Sequence, residues 1–158
     1  MASMAVLGSL IRRQADVNEM RLVLKPDERA PAKARDRVSR LRSSLEPRFD
    51  DVLLVVSELV TNSVRHSSST KPIKMLVQIS GSRIRLEVSD RGSGFEPLHS
   101  MGGGGLGLMI VDRIAASWGV HTNGSCTVWV EISKLPQMAT GPDWSRDQSP
   151  ARFRQPGG

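Results

Sequence analysis

The chain has 158 residues, of which 39% are hydrophobic and 24% charged, enough for one packed core with tails and too short for two ordinary domains. Its formal charge of +6 is uneven: 10 basic against 5 acidic residues in 1–45, 8 against 9 in 46–133 and 4 against 2 in 134–158. A nearly neutral middle, with no Tyr anywhere, lacks the basic face interleaved with aromatics that binds nucleic acid; one cysteine, Cys126, excludes an internal disulfide, and His66, His99 and His121 are too scattered to complete a zinc site with it.

The opening MASMAVLGSLIRR places its Arg pair after the apolar run, the reverse of a secretory signal. No apolar stretch reaches the roughly 18 residues of a membrane span, so a cytoplasmic protein without membrane contact is expected. Residues 1–18 read as a poorly ordered extension. MRLVL at 20–24 alternates as a strand, and Pro31 opens a helix to about Leu45 that Pro47 stops. Asp50 or Asp51 caps the next helix, whose Val52, Val55, Val56 and Leu59 form a buried stripe at i, i+3, i+4, i+7, running to about Arg65. IKMLVQIS and RIRLEVSD are strands joined through Gly81 and Ser82, a two-residue hairpin connection. After a glycine-rich passage, LGLMIVDRIAAS reads as a helix ended by Trp118 and Gly119. CTVWVEIS is the last strand. Residues 134–158, with four Pro and three Gly and neither period, read as a disordered tail. Helices grouped between hairpin strands predict one domain over 19–133, an α+β two-layer sandwich with a mixed, mostly antiparallel sheet and helices on one face.

Three constellations carry chemistry. Glu58, Asn62 and His66 in SELVTNSVRH stand at i, i+4, i+8, so the first two share a helix face. A carboxylate beside an amide suits a base next to a hard cation; the plain alternative is a solvated polar face. Asp90, Gly92 and Gly94 in SDRGSGF follow a strand end, where glycines admit a ligand to the backbone and a carboxylate accepts from an amino group. An ordinary turn would use the same residues. Gly102 to Leu108, GGGGLGL, run into a helix whose first N–H groups and dipole favour phosphate. Leu108 and Met109 stand where a P-loop needs its Lys and Ser/Thr.

Together and in this order, ELVTNSVRH, VSDRGSGF, GGGGLGLMIVDRIAASWGV and TVWVEI resemble the N, G1 and G2 boxes of the GHKL ATPase superfamily, the Bergerat fold, and most of all its stand-alone bacterial anti-sigma-factor serine kinases. The resemblance covers about residues 20–133. It implies ATP and Mg²⁺ as cofactors, Glu58 as the base toward an attacking hydroxyl and Asn62 as the metal ligand. It places the adenine amino group on Asp90, with Thr127 supporting that carboxylate and Gly92 and Gly94 against the ring. Gly103, Gly105 and Gly107 would wrap the phosphates in a loop that includes Gly104, Leu106 and Leu108, with Arg65 and His66 nearby. Ser63 and Gly104 depart from the family, which usually has Ala at the first and often a larger residue at the second. Residues 1–50 contain no His, unlike the phosphoacceptor hairpin that precedes this domain in histidine kinases. The resemblance further implies a sigma factor and a STAS-type anti-anti-sigma protein as partners, admits a homodimer, and leaves no direct role for nucleic acid. The competing reading is a nucleotide-binding regulatory module that sequesters a partner without phosphoryl transfer; the presence of both Glu58 and Asn62 argues against it.

Overall fold

The computed structural model describes residues 17–66, 70–91 and 106–136. In chain order these form β1 (Val17–Leu24), α1 (Ala30–Ser39), α2 (Arg42–Leu45), α3 (Phe49–His66), β2 (Ile73–Ser80), β3 (Arg83–Asp90), α4 (Leu106–Ile114), β4 (Ser117–Thr122) and β5 (Cys126–Ser133). The five strands make one sheet in the order β1-β2-β3-β5-β4. All four pairings are antiparallel, so the expected mixed sheet carries no parallel pair among the described residues. Alternation sorts the two faces. Ile73, Met75, Val77 and Ile79 of β2, Ile84, Leu86 and Val88 of β3, and Val128, Val130 and Ile132 of β5 are buried, and α3 packs against β3 over them. The opposite face is polar. There Arg85 bridges Glu87 at 2.7 Å and Glu131 at 3.1 Å and lies over the Trp129 ring.

The helix expected from Pro31 to Leu45 breaks after Ser39. Ser39 Oγ bonds back to the Arg35 carbonyl at 2.8 Å, a pattern that bends helices. Arg40 and Leu41 then donate to carbonyls three residues back, at 3.2 and 2.9 Å, tightening the turn. One further turn, α2, delivers Leu45 to the core. Helix α3 starts at Phe49, so Asp50 and Asp51 lie in its first turn instead of capping it, where their charge suits the positive end of the dipole. Val52, Val55, Val56 and Leu59 are buried as expected.

Trp118 and Gly119 do not end a helix. Helix α4 stops at Ile114, and both residues lie inside β4, a strand absent from the sequence reading. A side chain at Gly119 would meet the Trp129 ring at 2.9 Å, so this glycine serves the close approach of an indole from β5. Gly81, at φ +55°, makes the expected hairpin turn between β2 and β3.

Lys134, just past the domain edge expected at Ser133, makes two hydrogen bonds to the fold. The Lys134 N–H donates to the Ser82 carbonyl at 2.8 Å, and its ammonium donates to the Ser44 carbonyl, tying β5 to the β2–β3 hairpin and to α2. Two such bonds contribute about 1–3 kcal/mol together. A chain shortened to Ser133 should therefore unfold several degrees below one shortened to Pro136, roughly 2–12 °C by the usual scaling. Equal midpoints in calorimetry would show that Lys134 contributes nothing.

Candidate functional site

Helices α3 and α4 lie side by side and run antiparallel. The Arg48 guanidinium, just before α3, donates to the Ile114 carbonyl at the end of α4 at 3.2 Å and pairs with Asp51 at 2.7 Å. Farther along α3, Glu58 reaches the first turn of α4. Its carboxylate rests against Gly107, so that a side chain built there would run into Oε2, with Cδ at 3.4 Å and Cβ at 3.7 Å. Glu58 and Asn62 are half-buried one turn apart on the same side of α3, whereas Arg65 and His66 are exposed at its end. Gly107 is buried and Leu108 half-buried, packed against the core; Leu106 is the first residue of α4. Gly92, Gly94, Gly103, Gly104 and Gly105 lie outside the described residues.

Asp90 is the last residue of β3 and half-buried. The β3–β5 register sets the surroundings of Asp90. Thr127 stands opposite Ser89, their hydroxyls 2.7 Å apart, while Cys126 stands opposite Asp90. Directly paired residues of antiparallel strands share a face. Asp90 and Cys126 thus face the helices with Val88 and Val128, and Thr127 faces the polar side with Ser89. Cys126 is 5% exposed, and the alternation of buried Val128, Val130 and Ile132 puts it on the inner face.

A cavity of about 610 Å³ lies at this end of the sheet, lined by Lys71, Lys74, Ser89, Asp90, Arg91 and the β4–β5 turn around Gly124. Of the described site residues Asp90 lines it, while Glu58 and Asn62 do not.

The donor set fits a metal that arrives with its ligand. Among the described residues no group of three or more His, Cys, Asp or Glu could hold an ion unaided. Asn62 offers a single neutral oxygen beside the Glu58 carboxylate, as Mg²⁺ requires when phosphates and waters fill its other positions.

Comparison with known proteins bears on the family and the fold. A model of the histidine kinase-like ATPase domain matches residues 14–132. Anti-sigma F factors of two Clostridium botulinum strains, Eklund 17B and Alaska E43, are 34% identical over 87 residues, which cover 51% of this chain and 61% of each relative. The chain thus spans about three fifths of the length of these relatives. A crystal structure of the RsbU and RsbW domains of a Mycobacterium tuberculosis protein matches with a TM-score of 0.59 at 18% identity, covering 73% of this chain and 32% of that one. That likeness speaks to the fold.

Proposed function

Because the chain belongs to the histidine kinase-like ATPase family, we propose that it is an ATP-dependent protein serine kinase that acts as an anti-sigma factor, phosphorylating a small STAS-type antagonist and sequestering a sigma factor. The observation that carries the reading is the Glu58 carboxylate held against the start of α4, one turn from Asn62. ATP would supply the γ-phosphoryl group, its bond to the β-phosphate oxygen breaking so that ADP leaves. Asn62 would hold Mg²⁺ through its amide oxygen, and Asp90 would accept a hydrogen bond from the adenine amino group. Glu58 would take the proton of the serine hydroxyl whose oxygen receives the phosphoryl group. Its contact with Gly107 in the first turn of α4 aims the carboxylate. The likeness to anti-sigma F factors supports the regulatory half of the reading. We place the protein in the cytoplasm; no described helix is long and apolar enough to cross a membrane.

The direct test is transfer of labelled phosphate from Mg-ATP to a serine of a candidate antagonist. Binding of ATP with neither labelling nor hydrolysis would favour the sequestering module. Nucleotide choice tests Asp90 separately. Guanine presents a carbonyl oxygen where adenine presents its amino group, and a carboxylate left unmatched under a bound base costs about 1–3 kcal/mol. ATP should therefore bind about 5- to 150-fold more tightly than GTP in calorimetry. Saturating ATP should also slow alkylation of Cys126, which stands opposite Asp90. An unchanged alkylation rate would remove the base from this end of the sheet.

A further inference from the structure

We infer that Gly107 is a positioning residue for the base: its missing side chain leaves the space that the Glu58 carboxylate occupies, and this, not phosphate contact, is why the position requires glycine. The effect on transfer rests on the kinase reading; the contact itself does not.

The described glycines meet different demands. Gly81 and Gly124 have φ of +55° and +68° and open space around them, so their backbones require glycine. Gly119 makes room for Trp129. Gly107 has neither reason. It sits in the first turn of α4 outside the left-handed region, where alanine is the better helix former. It is buried, and what a methyl group would meet is Glu58: Oε2 in collision, with Cδ at 3.4 Å and Cβ at 3.7 Å in ordinary contact.

The atom in the way is the far end of a flexible side chain, so an added methyl displaces the carboxylate without unfolding the domain. Helix α4 cannot easily yield instead, because the Arg48 guanidinium holds its other end through the Ile114 carbonyl. The displaced carboxylate leaves the line of the attacking hydroxyl, and an error of about 1 Å in such a group can cost about 10²-fold in rate.

Two double-mutant cycles test this. In the nucleotide-free protein, Gly107→Ala should raise the unfolding temperature more in a Glu58→Ala background, where the helix gain is realised without a clash, than in the wild type. Equal shifts in both backgrounds overturn the contact. In transfer assays Gly107→Ala should lower kcat about 10²-fold with ATP affinity unchanged, and should cost little further in a Glu58→Asp background, whose shorter side chain clears the methyl. Loss of ATP affinity in Gly107→Ala, with transfer falling in proportion, would return the glycine to the phosphates and overturn the inference. A wild type that transfers nothing refutes the kinase reading alone, and the stability cycle still decides the contact.

Discussion

Glu58→Gln should bind ATP as the wild type does and lose phosphoryl transfer by about 10²–10⁴-fold, the range for removal of a general base. Glutamine has the length and shape of glutamate, so it fits the space beside Gly107 that the carboxylate fills. It cannot accept the hydroxyl proton. The substitution also removes a negative charge from the first turn of α4, a loss of about 0.3–1 kcal/mol that a small fall in unfolding temperature would record. Transfer to a serine substrate and equilibrium nucleotide binding, measured in parallel, separate the two effects. A glutamine variant that transfers at the wild-type rate would leave Glu58 as packing only. A variant that loses ATP would place the carboxylate among the nucleotide contacts.

Which parts of this arrangement were legible in the sequence follows from how local each cause is. The buried stripe of α3 and the β2–β3 hairpin are set by residues a few positions apart, and periodicity found both. Strand β4 was missed because SWGVHT has a tertiary cause: Gly119 exists for the Trp129 ring and reads locally as a helix stop. The break after Ser39 depends on the choice between a hydroxyl pointing to solvent and one bonding back to Arg35, which the sequence leaves open.

The candidate site shows the same division. That Glu58 and Asn62 share a helix side follows from their spacing, and Asp90 at a strand end follows from the alternation before it. That Cys126 stands opposite Asp90 did not, because the register of two strands is a tertiary property and a one-residue shift moves a side chain to the other face. Gly107 was grouped with the other glycines of GGGGLGL as a phosphate ligand. Only the antiparallel packing of α3 on α4, fixed at one end by Arg48 and Ile114 and reaching Glu58 at the other, gives this glycine a neighbour of its own.

Asn62→Ala should fail differently from Glu58→Gln, by weakening Mg-ATP while leaving metal-free ATP unchanged. The reason lies in the donor set. In the proposed site the metal would be shared between phosphate oxygens and the Asn62 amide, so that only the magnesium complex would feel that amide. Loss of one contact to a charged group costs about 1.5–3 kcal/mol, or about 10- to 150-fold in affinity. Calorimetry of ATP binding with magnesium and with a chelator provides the four values needed for wild type and variant. Asn62→Asp, which keeps an oxygen ligand, should recover part of the magnesium-dependent affinity. If alanine weakens ATP equally with and without magnesium, Asn62 contacts the nucleotide itself, and the metal must be held without it.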